Sequence, residues 1–314
     1  MFGAIFDTIG LMDIKKIAEQ FNIKTIKIKP IKNAILSKVY VINNEYILRS
    51  RTLEINSIQK LNSEQFLLNK VRKIIKIKLP DLLGTKSKRE YFIDGNSLWT
   101  AYPLIKGEII CAWWNFEKLS EKQKERVFVT LRELHLKTLG KLKNISSNNQ
   151  YDFVDDVIQR LSSIGNQITT KELKRIQKAI NIIKDFRDSL QEKNFCFVHG
   201  DYHPGNIIFQ KDRVIGLLDF DFARKGSYLE DLAYTLMMFL RNYQGPFEFR
   251  EKDYLKFLGW YGIKKGHIPI LNEYLILYTF YDFHLFRDLE QLPKQSMFIQ
   301  YQKDFLKDVC TRFN

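Results

Sequence analysis

The 314-residue sequence predicts an α+β fold in two lobes, a small antiparallel sheet with one inserted helix over residues 1–105 and a larger, mainly helical part over 106–314. Three observations carry that prediction. Short β-branched and aromatic runs separated by turn residues fill the first hundred positions. Long amphipathic spacing takes over after Gly107. A single β-rich island, Phe195 to Phe222, interrupts the helical part. At roughly 100–200 residues per domain the length suits two units, each able to bury a core. Hydrophobic residues make up 45% and charged residues 27% of the chain, which excludes a disordered polymer. With two lobes, the cleft between them is the default ligand site.

The elements follow in order. Asp13 to Phe21 spaces its apolar residues as a short helix, with Asp13 as its N-cap. Thr25–Lys29 alternates as a strand. Lys38–Ile42 is rich in β-formers, and Asn43-Asn44 is a turn into a strand over Glu45–Arg51. Leu61 to Ile75 returns to helical spacing. Tyr91–Ile93 and Ser97–Tyr102 flank Asp94-Gly95-Asn96, a hairpin signal. Beyond the connector Pro103 to Gly107, helices are predicted over Ser120–Thr138, Asp152–Ser163, Lys171–Leu190 and Leu229–Asn242. An aromatic-rich helical stretch from Trp260 to Leu289 reads mainly as core.

Charge and composition narrow the class. Fifty basic residues against 36 acidic ones give +14, and eighteen against nine through Ile105 place +9 of it in the first third. Such a region suits nucleic acid, a polyphosphate ligand or nothing specific. Lysine recurs with isoleucine, as in Lys73-Ile-Ile-Lys-Ile-Lys78, and that pattern favours a solvated strand face over a nucleic-acid patch. The longest apolar run, Leu232 to Leu240, is far short of the about 20 residues a membrane-spanning helix needs. The N-terminal stretch lacks a basic n-region and carries Asp7, so a cytoplasmic location is expected. Cys111, Cys196 and Cys310 are too few and too dispersed for a disulfide framework or a metal site.

The island holds the chemistry. It reads His199-Gly-Asp201-Tyr-His203-Pro-Gly-Asn206, then Ile207–Phe209, a turn at Lys211-Asp212, Val214–Leu218, and Asp219-Phe-Asp221. The two runs pair as a hairpin, so Asn206, just before the first, and Asp219, just after the second, lie at the same open end. Cross-strand neighbours sit about 5 Å apart, close enough for both oxygens to hold one hard cation. Asp201 precedes Asn206 in a loop folded tightly by Pro204 and Gly205. This matches the phosphoryl-transfer template, in which a loop Asp takes a hydroxyl proton, an Asn binds Mg²⁺ and a second Asp holds the metal on the phosphates.

His199-Gly-Asp201-xxxx-Asn206 followed by Asp219-Phe-Asp221 resembles the aminoglycoside phosphotransferase and choline kinase group of small-molecule kinases, whose fold is protein-kinase-like. The Gly after His199, in place of Arg, points away from protein kinases. The resemblance implies transfer of the γ-phosphoryl group of ATP or GTP, with Mg²⁺, to a hydroxyl of a small metabolite or antibiotic. It makes Asp201 the base and Asn206 and Asp219 the metal ligands. It makes Arg49, on the strand Tyr46–Arg51, the phosphate-contacting basic residue, with Glu64 as its helix partner. Pro103 and Ile105 would meet the purine edge. Ser37 and Lys38, with Asn33, would serve the phosphates from a segment that here contains no glycine. His199 and Asp231 would brace the loop. His203, Asp282 and Arg287 are candidates for acceptor contact, an amine suiting Asp282 and a carboxylate suiting Arg287. The sequence leaves the acceptor open among an amino alcohol, a sugar and an antibiotic. A catalytically degenerate kinase fold is the alternative, resting on the glycine-free segment.

Overall fold

The computed structural model describes residues 11–31, 37–110, 116–143, 152–241, 247–288 and 295–314. The chain divides into two compact units, one of Met1–Asn62 with Lys78–Gly107 and one of Ser63–Ile77 with Glu108–Asn314.

The first unit is built on a five-stranded antiparallel sheet of order β1-β2-β3-β5-β4. Its strands are β1 (Ile28–Pro30), β2 (Lys38–Ile42), β3 (Tyr46–Thr52), β4 (Phe92–Asp94) and β5 (Ser97–Pro103). Asn43 and Asn44 join β2 to β3 with φ of 57° and 56°. That double left-handed turn matches the strand twist and suits asparagine. Helix α1 (Leu11–Gln20) offers Ile14, Ile17, Ala18 and, just past its end, Phe21, an i, i+3, i+4, i+7 stripe. The stripe packs on Ile42, Leu48, Trp99 and Ala101, and its burial anchors the helix to the sheet.

Three sequence expectations need correction in this unit. Asp13 is not an N-cap; the helix starts at Leu11, so Asp13 lies in its first turn. The first strand begins at Ile28, not Thr25, because the Ile26 and Lys27 N–H groups donate to the Asn43 side chain at 2.9 and 3.0 Å and are absent from the ladder. Helix α2 (Ser57–Arg72) also starts four residues before Leu61. There the Glu54 N–H donates to the Ser57 hydroxyl at 2.8 Å and sets an earlier entry.

The second unit is mainly helical. It contains α3 (Glu121–Thr138), α4 (Phe153–Ser162), α5 (Thr170–Ser189), α6 (Tyr228–Leu240), α7 (Glu251–Tyr261), α8 (Ile268–Asp288) and α9 (Gln295–Arg312). Ser120, Thr169 and Ser227 each close a reciprocal capping box at the starts of α3, α5 and α6, satisfying N–H groups the helix leaves orphaned. Helix α6 is buried nearly all round, as its run of apolar residues requires. Helix α8 packs against α5, α6 and α9. Tyr274, Tyr278, Phe280 and Phe283 sit in the core there, where the aromatic stretch was expected to lie.

Two small hairpins cross this helical unit. Strand β6 (Cys196–Val198) pairs with β9 (Arg224–Gly226), and β7 (Ile207–Gln210) pairs with β8 (Arg213–Leu217). The segments between them, 199–206 and 218–223, are held at both ends by strands, which is what positions the site.

Candidate active site

The β7–β8 hairpin sets the frame. Past its last paired residues, the Leu218 N–H donates to the Asn206 carbonyl at 2.9 Å, so the chain emerges with Asn206 and Asp219 at the same end. Asp219 has φ of +59°, a left-handed conformation that glycine, asparagine and aspartate adopt more readily than other residues and that gathers at functional sites.

The 199–206 loop is tied down residue by residue. The His199 and Gly200 N–H groups donate to the two oxygens of Asp231 at 2.6 and 2.7 Å. Gly200 has φ of +81°, and a Cβ there would lie 2.4 Å from the Phe222 carbonyl oxygen. Only glycine fits both constraints. The Tyr202 carbonyl accepts from the Thr235 hydroxyl at 3.0 Å. His203 caps the short turn Pro204–Asn206, its Nδ1 accepting from the Gly205 N–H at 3.0 Å.

Asp201 has both oxygens engaged. Oδ1 accepts from the Tyr234 hydroxyl at 2.5 Å, and Oδ2 accepts from Asn206 Nδ2 at 2.8 Å. The same Nδ2 donates to the Asp201 carbonyl at 3.0 Å, and His203 Nε2 lies 3.5 Å from Oδ2. Burial would push the Asp201 carboxyl up, but His203 and the Tyr234 hydroxyl outweigh it and hold it down at about 2. It is therefore ionised at neutral pH. Burial lowers His199, whose ring lies 4.6 Å from that of Phe220, so this residue is a neutral brace. Asp231 is buried as well, and the His135 hydrogen bond at 3.1 Å leads the contacts that keep it below the usual carboxylate range against that burial.

One helix face thus carries the loop. Asp231, Tyr234 and Thr235 of α6, at i, i+3 and i+4, hold His199, Gly200, Asp201 and Tyr202 in succession. The sequence reading named Asp231 and missed Tyr234 and Thr235. Helical spacing from Asp231 was the signal that could have found them.

The donor set at the hairpin end is an amide oxygen on Asn206 and a carboxylate on Asp219. With the Asn206 nitrogen turned to Asp201, its oxygen is the atom left for a cation. Among the described residues no three His, Cys, Asp or Glu side chains gather as a metal cage. Two hard oxygen donors without a cage suit a magnesium-sized ion that completes its shell with phosphates and water.

The remaining predicted site residues fall as follows. In the first unit, Arg49 on β3 lies opposite Val39, is largely buried, and donates from Nε to the Ser37 hydroxyl at 3.2 Å. Lys38 opens β2, opposite Ser50. Pro103 ends β5 opposite Tyr46, and Ile105 follows Leu104, whose N–H donates to the Glu45 carbonyl at 2.7 Å. Asn33 lies outside the described residues. In the second unit, Glu64 on α2 accepts from Gln65 Nε2 at 3.4 Å. Asp282 on α8 is buried and already paired with Arg241 and Gln302, and burial pushes its carboxyl up. It is not brought together with the loop residues as a free carboxylate. The Arg287 side chain lies outside the described residues.

A search of curated proteins found no match. Among solved structures, an amicoumacin kinase in complex with AMP-PNP, Ca²⁺ and its ligand aligns with a TM-score of 0.71 at 14% identity, covering 96% of this chain and 94% of that one. The GDP complex of an aminoglycoside 2'-phosphotransferase aligns with a TM-score of 0.68 at 13% identity, covering 96% and 98%. A macrolide 2'-phosphotransferase from Brachybacterium faecium aligns with a TM-score of 0.59 at 12% identity, covering 96% and 97%. At such identities these likenesses establish the fold. The sequence itself matches the phosphotransferase enzyme family, described under the heading APH, over residues 27–268. That stretch takes in the sheet, the 199–206 loop, the hairpin and α6, so the chain belongs to this family of phosphotransferases.

Proposed function

We propose that the protein transfers the γ-phosphoryl group of ATP or GTP, with Mg²⁺, to a hydroxyl of a small molecule. The observation that carries the reading is the placing of Asp201, Asn206 and Asp219 around one hairpin end, with Asp201 ionised and hydrogen-bonded to Asn206. Support also comes from the nucleotides named for the structural neighbours, GDP and AMP-PNP. Their acceptor classes, aminoglycoside, macrolide and amicoumacin, make an antibiotic one candidate beside an amino alcohol or a sugar. Residues 1–105 serve the nucleotide in this reading, and residues 106–314 serve catalysis and the acceptor.

Each residue has a role. Asn206 and Asp219 hold the cation, which supplies neutralisation of phosphate charge when bound. Arg49, steadied by Ser37, and Lys38 contact the phosphates, and Glu64 supports Arg49. Pro103 and Ile105 face the purine. Asp201 orients the acceptor hydroxyl and takes its proton as the new O–P bond forms and the bond to the β-phosphate oxygen breaks, leaving a nucleoside diphosphate. A carboxylate as weakly basic as Asp201 accepts that proton late, so positioning and electrostatics supply most of the rate. His203 lies beside Asp201 and contacts the acceptor.

The test is a screen of acceptor hydroxyls, aminoglycoside, macrolide, amino alcohol and sugar, with ATP and GTP, with and without Mg²⁺. Metal-dependent transfer to one class is the expected result. Nucleotide binding with no transfer to any acceptor would turn the reading to the degenerate alternative.

A further inference from the structure

We propose that the second unit carries a separate ligand site, a cavity behind the 199–206 loop that takes an aromatic anion of one or two rings and transmits its occupancy to the loop backbone through Tyr261, His135 and Asp231.

The cavity has a volume of about 280 Å³, at the small end of the range for small-molecule pockets, about 300–1,000 Å³. It is lined from α3, the end of α5, the start of α6 and the turn after α7. Its walls are aromatic. Tyr228 and Tyr261 lie with ring centroids 6.0 Å apart and planes 20° from parallel, and Phe186 is also part of the lining. A flat ring system matches such walls.

Its charge has one sign. Arg132 and Lys264 line the cavity, and among the described residues no carboxylate does; His267, also in the lining, is bonded through Nδ1 to the Tyr228 hydroxyl. Among the described residues neither the Arg132 nor the Lys264 side chain has a hydrogen-bond or ion-pair partner. Gly262, in the left-handed conformation that ends α7, would place a Cβ 3.2 Å from Arg132 Cζ, so glycine leaves room for the guanidinium at the rim. An aromatic body with one carboxylate or sulfonate satisfies both walls and charge.

The inner wall is the start of a hydrogen-bonded line to the loop. The Tyr261 hydroxyl is 2.8 Å from His135 Nδ1, and His135 Nε2 is 3.1 Å from Asp231 Oδ2. The two Asp231 oxygens accept the His199 and Gly200 N–H groups. Both Tyr261 and His135 face the cavity, so an occupant touches the first two members of that line. Three of its links are buried, and a ring that fixes Tyr261 restrains the rest.

The experiment titrates the full chain with 2-naphthoate and with its neutral analogue 2-naphthamide by calorimetry, then measures amide hydrogen exchange. Saturable one-to-one binding of 2-naphthoate is expected. Arg132→Glu combined with Lys264→Glu should weaken it tenfold or more, and Leu136→Trp, on the exposed rim, should abolish it by filling the cavity. Absence of saturable binding, equal affinity for the amide, or indifference to Leu136→Trp would overturn the site. For the coupling, 2-naphthoate should slow exchange of the His199 and Gly200 amides fivefold or more in the wild type. In Tyr261→Phe, which keeps the ring, binding should persist and the slowing disappear. Unchanged exchange in the wild type would overturn the transmission. Neither readout needs nucleotide or acceptor, so the result stands apart from the phosphoryl-transfer reading.

Discussion

Gly200 is fixed by two demands at once, a φ of +81° and the Phe222 carbonyl 2.4 Å from where a Cβ would stand. Gly200→Ala should therefore displace the loop against the 218–223 segment. We expect a loss of about 1–3 kcal/mol of stability and a fall in kcat larger than any change in nucleotide KM, checked by thermal unfolding and steady-state kinetics. The proposed division of labour makes a second prediction. Asp219→Ala should abolish metal-dependent nucleotide binding, whereas Asp201→Asn should retain it while kcat falls by about 10²–10⁴. Calorimetry with Mg-nucleotide separates the two, and equal loss of binding in both variants would refute the roles. The residues of this loop were legible because their identities and spacing sit in a short, strand-bounded segment. Tyr234 was not, since its link to Asp201 spans 33 positions and depends on a helix face that no local pattern marks as functional. The partners of Asp282 were not legible either: Arg241 and Gln302, which hold it, lie 41 and 20 positions away, and its place on an aromatic helix does not reveal them.

Helices were legible where caps and stripes agree. Ser120 and Asp152, the first residues of two helices expected from the sequence, are the N-caps of α3 and α4, while α1 and β1 shifted because Leu11 and the Asn43 side chain set ends that apolar spacing alone does not show. Asp152 does more than cap. Its Oδ1 accepts from the Val154 and Asp155 N–H groups at 2.9 and 3.2 Å, and Arg187 of α5 donates to both its oxygens at 2.8 and 2.7 Å. Burial opposes ionisation of Asp152, but the Arg187 hydrogen bonds and charge and the two N–H groups outweigh it, so its carboxyl lies below the ordinary 3.8. Asp152→Ala should lower stability at pH 7 by about 1 kcal/mol for the cap, with a smaller addition from Arg187 because that pair is about a third exposed and screened. The folded pKa is depressed, so this contribution is fully present above 3.8 and is lost as pH falls through the lower folded value. Denaturant unfolding of both proteins across pH 2–7 checks it: the gap between them should close on acidification, and a constant gap would assign the whole effect to something other than the carboxylate charge.

At the scale of the whole molecule, the α+β class and the order of elements were readable because sheet-forming and helix-forming runs are segregated along the chain. The acceptor was not readable, since no single motif encodes it. The proposed nucleotide contacts of the first unit predict that Arg49→Ala raises nucleotide KM several-fold while acceptor KM changes little, with Glu64→Ala giving a weaker version; initial-rate kinetics varying each substrate would show it. A larger effect on acceptor KM would place Arg49 elsewhere in the reaction. Among the described residues no helix is long and apolar enough to cross a membrane. The hold of Asp231, Tyr234 and Thr235 on residues 199–202 has a consequence for biosynthesis. A growing chain that has produced the loop but not yet α6 has the Asp201 carboxylate without the three side chains that fix the loop, and the arrangement is completed only when a segment some thirty residues downstream has emerged and coiled beneath it.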